Sequence, residues 1–182
     1  MAHIDLGNQY PGIVGLMFRY PETAKPLNDL AETLLRAPHS LSSGEREMIA
    51  AYVSLKNDCN FCHQTHAASA TAHLNDEYKV LDAVFTDVSS APVPEKMKSL
   101  LHIAGKVKES GKAVTAEDIE AAKNNGATDD EIHITVLIAA AFCMFNRYVD
   151  GLATWSPPNR EAYSDMGKML AEKGYTNSIP PQ

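Results

Sequence analysis

Apolar residues recur at three- and four-residue intervals along most of the chain, and no run shows period-two alternation. That pattern predicts an all-α protein. The opening, up to about Pro21, is apolar but punctuated by Pro11, Gly12, Gly15 and Pro21, and reads as an ordered arm (1–21) with one short turn. Leu27, Leu30, Ala31 and Leu34 give an apolar face to a first helix over 25–36. Pro26 falls in its first turn, where the missing N–H costs nothing, and Pro38 ends it. Ser42-x-x-Glu45 has the form of a capping box and opens a helix through Met48, Ile49, Tyr52, Val53 and Leu55. Asn57-Asp58 interrupts this run, and either residue can cap a further helix from Cys59 to about His73. Asn75-Asp76 precedes a helix reaching Phe85, and Pro92 and Pro94 lead into one over 95–109. Thr115-x-x-Asp118 starts a short helix that stops at Asn125-Gly126. Thr128-x-x-Glu131 starts a long apolar helix through Val136, Ile138, Phe142, Phe145 and Val149, broken by Pro157-Pro158. A last amphipathic helix is expected from about Asn159 to Lys173, followed by a tail over 175–182.

A chain of 182 residues is most simply one domain, spanning 1–182. A domain of this size buries roughly 70% of the surface its unfolded chain exposes, so neither disulfide nor metal is needed for a core. The formal net charge of −7 argues against nucleic acid and anionic membrane as partners, because phosphate binding calls for clustered Lys and Arg. No stretch approaches eighteen uninterrupted apolar residues, so no transmembrane helix is expected. The start, Met1-Ala2-His3-Ile4-Asp5, shows no signal-peptide pattern, and a cytoplasmic, reducing setting is the expectation. A Gly-rich phosphate loop and a nucleophile elbow are both missing, which leaves a hydrolase or nucleotide-binding reading without support.

The chemistry concentrates in Asp58-Cys59-Asn60-Phe61-Cys62-His63-Gln64-Thr65-His66, with Glu47 twelve residues before Cys59. At about 100° per residue, Cys59, Cys62, His63 and His66 share one helical face. Cysteines three apart on a helix have Cα atoms about 5 Å apart, within the range a disulfide accepts. A cysteine in a first helical turn is favoured as thiolate by the helix dipole, and a histidine one turn beyond Cys62 can serve as its base. Peroxide reduction and disulfide exchange both need this combination. Which cysteine attacks is open at this point: the dipole favours Cys59, whereas proximity to His66 favours Cys62. Glu47, on the preceding helix, can hold or polarise one member of the set. Three other chemistries compete. Cys-Asn-Phe-Cys-His matches the c-type haem attachment string, but haem is attached outside the cytoplasm. Zinc could use Cys59, Cys62, His66 and either His63 or Glu47, although no second ligand pair lies in a separate segment. A thioredoxin-like site needs flanking strands. Cys143 reads as a core hydrophobe.

Glu131 and Cys143 repeat the Glu47–Cys59 spacing, and in that frame Asn146 matches Cys62 and Asp150 matches His66. The echo suggests an internal duplication in which only the first unit carries the thiol pair.

Glu47-x11-Cys59-x2-Cys62-x3-His66 resembles the active-site signature of the alkylhydroperoxidase D family, within the carboxymuconolactone decarboxylase superfamily. Leu41-Ser42-Ser43-Gly44-Glu45-Arg46-Glu47, Phe145-Asn146-Arg147, Asp150-Gly151, Pro11-Gly12-Ile13 and Pro21-Glu22-Thr23-Ala24 extend the likeness, closest to the peroxidase-related branch. The resemblance implies an all-helical bundle built on a duplicated unit and assembled as a homo-oligomer, a trimer or hexamer. It implies antioxidant reduction of small-molecule hydroperoxides by a redox-active Cys59–Cys62 disulfide, with no cofactor and no metal. In that reading Cys62 attacks, Cys59 resolves, His66 assists deprotonation and Glu47 polarises Cys59. A dithiol electron donor, either a lipoyl protein or a thioredoxin-like protein, would restore the pair. The decarboxylase branch lacks the Cys-x-x-Cys. The alternatives are a non-peroxidatic disulfide adaptor, a decarboxylase-like protein, and a zinc-binding structural protein. One departure stands out: the family has a second histidine before the second cysteine, where this chain has Phe61, and its extra histidine, His63, follows instead.

Overall fold

The computed structural model describes residues 2–76 and 78–176, and among these there are nine α-helices and no strand. They are α1 (Gly12–Arg19), α2 (Pro21–Arg36), α3 (Ser43–Lys56), α4 (Asn60–Leu74), α5 (Lys79–Thr86), α6 (Glu95–Glu109), α7 (Ala116–Asn124), α8 (Asp129–Gly151) and α9 (Ser164–Lys173). Three starts are reciprocal capping boxes, at Ser42/Glu45, Thr115/Asp118 and Thr128/Glu131. In each, two of the four N–H groups that a helix start leaves orphaned find a side-chain acceptor.

Helix α8 is the centre of the bundle, with α3 and α6 packed along it. Its buried face carries Ile134, Ile138, Phe142 and Phe145, which meet Ile49 and Val53 of α3 and Leu100, Leu101 and Ile103 of α6 in one core. Each such side chain contributes about 1.5–3 kcal/mol by leaving water. By length and composition α8 would also serve as a membrane span, contrary to the expectation from uninterrupted apolar runs. Its apolar content has an internal use, since half of that window is buried in the protein. Glu131, near its start, is buried and anchored by Lys96 at 2.8 Å.

Helices α3 and α4 form an antiparallel hairpin, pairing Ala51 with His63 and Glu47 with His66 and Ser69. Helix α9 lies on α4. The approach there is close: a Cβ on Gly167 would fall 2.5 Å from the Ala68 carbonyl carbon and 2.8 Å from the Ser69 nitrogen.

Several boundaries differ from the sequence expectation. The N-terminal arm contains α1, eight residues long, which opens on Gly12 at φ +53°. The next helix begins at Pro21, four residues before the expected start, because Pro21 itself occupies the favoured first position. Pro26 is therefore interior; it lies on the exposed side, where water can reach the carbonyl it leaves unbonded. Helix α8 stops at Gly151, before Pro157-Pro158, and the last segment enters α9 through a 3-10 turn at Arg160–Tyr163. Tyr175, expected in a tail, is buried; 177–182 lie outside the described residues.

Gly167→Ala is expected to cost about 1–3 kcal/mol by overpacking the α4–α9 contact. The urea unfolding midpoint checks this, and an unchanged midpoint would mean that α9 can move away freely.

Candidate active site

The cysteines owe their position to the end of α3. Asp58 adopts the left-handed conformation (φ 60°). Its N–H bonds Leu55 O, and the Cys59 N–H bonds Ser54 O, both at 3.0 Å. These are the two closing bonds of a Schellman motif, with Asp58 where glycine is usual. Cys59 is at once the last residue of that closure and the N-cap of α4, its C=O accepting from the His63 N–H at 3.0 Å. Neither Asn57 nor Asp58 caps α4, as the sequence had suggested. The Asn57 amide instead donates to Asn146 Oδ1 of α8 at 2.8 Å, and Asn146 Nδ2 donates to Ser54 Oγ at 3.0 Å. The buried Asn146 so clamps the turn from behind.

Cys59 is fully buried. Its interaction with Cys62, then burial, push its thiol far above the ordinary range, and the Asp150 carboxylate adds to this. Cys62 sits three residues into α4 and, unlike Cys59, lines a cavity. Phe61 and Tyr163 pack with both cysteines, and a Cβ on Gly12 would strike the Phe61 ring at 2.2 Å.

Glu47 has no exposed surface, and three donors reach its carboxylate. His66 Nδ1 lies 2.7 Å from Oε2, while Ser69 Oγ at 2.9 Å and Tyr175 OH at 2.5 Å reach Oε1. A carboxylate accepts, so His66 carries its proton on Nδ1 and leaves Nε2 free as a base. Phe142 meets the imidazole edge-on at 4.5 Å and Tyr175 stacks on it at 6.0 Å. Burial, followed by the charge of Glu47, holds the Tyr175 phenol well above its usual range, so it stays a donor. The assignment of Glu47 to Cys59 is corrected here: Glu47 holds His66, and the carboxylate that acts on Cys59 is Asp150.

The cavity measures about 360 Å³ and has an apolar wall that includes Leu27, Ala31, Phe142, Phe145 and Met169. Cys62, His66, Phe61 and Tyr175 reach it; Cys59 and Glu47 do not. Phe61, where the family has a histidine, is thus part of the apolar wall. His63 does not replace that histidine. Its Nδ1 donates to Ala51 O at 3.1 Å, its ring meets Phe85 edge-on, and burial lowers its proton affinity. Among the described residues no three His, Cys, Asp or Glu side chains converge as a metal site. The twelve-residue echo is carried by different local structures. Cys59 lies at a helix break and Cys143 inside continuous α8, while Glu47 lies in the site and Glu131 on Lys96. Sequence reading missed Ser69, Tyr175 and Asn28, and it noted Asn146 and Asp150 in the internal echo and the family resemblance without giving them a role at the site. Only Asn28 carried a local signal, as a polar residue on the buried stripe Ala24–Asn28–Ala31–Leu35 of α2.

The site is a buried cysteine pair at a helix start, beside a carboxylate-fixed histidine, in an all-helical bundle. The sequence model of the Carboxymuconolactone decarboxylase family matches residues 21–106, from α2 into α6 and through all four motif residues. A crystal structure of an alkylhydroperoxidase AhpD core, an uncharacterized peroxidase-related protein from Ralstonia eutropha JMP134, superposes with TM-score 0.76 at 25% identity. The match covers 87% of this chain and 81% of that one. An uncharacterized peroxidase-related protein from Silicibacter sp. TM1040 superposes with TM-score 0.74 at 24% identity, over 86% of this chain and 80% of that one. No curated protein gives a significant sequence match. Residues 21–106 are thus similar to the Carboxymuconolactone decarboxylase family, and the chain shares the all-helical fold of the alkylhydroperoxidase AhpD core structure.

Two outcomes follow from the thiol environment. Iodoacetamide at pH 8 should alkylate Cys62 well before Cys59, as read by peptide mass spectrometry; equal rates would contradict the asymmetry. The fold also holds the Cys59 proton more tightly than the unfolded chain does. That contribution is complete below the ordinary thiol range and is lost as pH rises above it. Stability should therefore fall above pH 9, less steeply in Cys59→Ala, as measured by urea unfolding across pH.

Proposed function

We propose that this protein is a thiol-dependent hydroperoxide reductase. The observation that carries the reading is that Cys62 and His66 face one apolar cavity while Glu47, behind the cavity wall, sets the histidine tautomer. Cys62 is the attacking thiol in this reading because it lines the cavity, whereas Cys59 is buried and held protonated.

His66 Nε2 takes the Cys62 proton, and the thiolate attacks the terminal peroxide oxygen. The S–O bond forms as the O–O bond breaks, sulfur is oxidised by two electrons to the sulfenic acid, and the alkoxide leaves as alcohol with the proton from His66. Cys59 then attacks the Cys62 sulfur. Its proton passes to Asp150 and on to the departing hydroxide, which leaves as water, and the Cys59–Cys62 disulfide remains. An external dithiol, on a lipoyl or thioredoxin-like protein, returns two electrons and two protons. Homo-oligomers, trimers or hexamers, and a reducing cytoplasmic setting complete the proposal.

The test is a free-thiol count on reduced protein before and after one equivalent of cumene hydroperoxide. The count should fall from three per chain to one, recover with dithiothreitol, and stay high in Cys62→Ser. A count that stays at three in the wild type rejects the peroxidase reading in favour of a disulfide adaptor. His66→Gln should slow the oxidation by about 10²–10⁴-fold, measured by stopped-flow.

A further inference from the structure

Asn28 sits on the buried stripe of α2, only 5% exposed, in the wall between the cavity of Cys62 and His66 and a second cavity lined by Lys25 and Asp29. Its Nδ2 is buried without a hydrogen-bond partner among the described residues. The other buried polar groups on the wall are occupied: Thr65 by Met166 Sδ, His66 and the Tyr175 hydroxyl by Glu47. A buried amide without a partner is a destabilising feature that native cores avoid, and it marks a place where a partner arrives from outside. A leucine would fill the same position in the stripe at no such cost.

The rest of the wall limits what that partner is. At the ~30 Å³ that one water occupies, the cavity has room for roughly a dozen non-hydrogen atoms. Hydrogen peroxide would leave most of it unfilled. Among the described residues no Lys or Arg lines it, and the one carboxylate on the wall is the exposed Asp165, which disfavours an anionic ligand such as a fatty-acid carboxylate. From these observations we infer that the cavity takes a neutral, largely hydrocarbon molecule bearing a carbonyl or hydroxyl oxygen, and that Asn28 Nδ2 donates to that oxygen. Asn28 is then the specificity residue of the site. If the hydroperoxide reading holds, the substrate is an uncharged oxygenated organic hydroperoxide, its second oxygen on Asn28 and its peroxide at Cys62.

The inference rests on that reading for the peroxide alone; the binding preference is tested without redox chemistry. The probes are 1-acetylnaphthalene and 1-ethylnaphthalene, which share a ring system and differ at the carbonyl. Calorimetry on the reduced full-length protein should show the ketone bound about tenfold more tightly. Asn28→Leu should abolish that preference, bind the hydrocarbon at least as well, and unfold at an unchanged or higher urea concentration. Should Asn28→Leu fold poorly, Asn28→Ala carries the same comparison. A ketone preference that survives both variants overturns the inference. So does binding of neither probe to the wild type, or loss of stability together with loss of both ligands. An Asn28-dependent ketone preference in a protein whose thiols ignore cumene hydroperoxide would keep this inference and reject the peroxidase reading. Rapid thiol oxidation with no ketone preference would do the reverse.

Discussion

A carboxylate removed from water must be compensated by donors, and in this protein the donors of Glu47 come from two separate parts of the chain. His66 and Ser69 belong to α4, while Tyr175 lies beyond the end of α9. Glu47 itself is fixed in α3, so one buried charge joins three segments that share no local sequence. Removing a donor would leave part of that charge uncompensated at a cost of about 1.5–3 kcal/mol, which makes the arrangement self-enforcing. The His66 bond among them also fixes which imidazole nitrogen carries the proton. Stability and chemistry thus rest on the same contact.

The second constraint is the turn between α3 and α4. Schellman closure and N-cap geometry overlap on Cys59, leaving that backbone little freedom. Asn146 locks the turn to α8 through Asn57 and Ser54. The two thiols then differ sharply although only two residues separate them: Cys59 is sealed beneath Phe61 and Tyr163, and Cys62 opens to the cavity.

Much of this was visible in the sequence because it is local. Capping boxes occupy four residues, helical periodicity recurs every turn, and Cys59, Cys62 and His66 lie within about two turns at the start of α4. What escaped depends on how helices pack. Glu47 lies twelve positions before Cys59, which suggested a direct contact, but the antiparallel hairpin brings Glu47 to His66 instead. Tyr175 looked like a tail residue because its partner is 128 positions away. Asp58 resembled a helix cap because Asp favours caps, yet its left-handed backbone ends the preceding helix. Asn28 stood in plain view on an apolar stripe, but one polar residue among alanines and leucine carries no meaning until the cavity beside it is known.

The reach of Tyr175 also sets an order of events during synthesis. His66 emerges from the ribosome 109 residues before the tyrosine that stacks on it, and domains form as their segments emerge, N-terminal parts first. Throughout that interval Glu47 lacks its closest donor and the cavity lacks one wall. The nascent chain therefore carries its cysteine pair with the imidazole not yet held in place, and the complete site exists only after α9 has docked against α4.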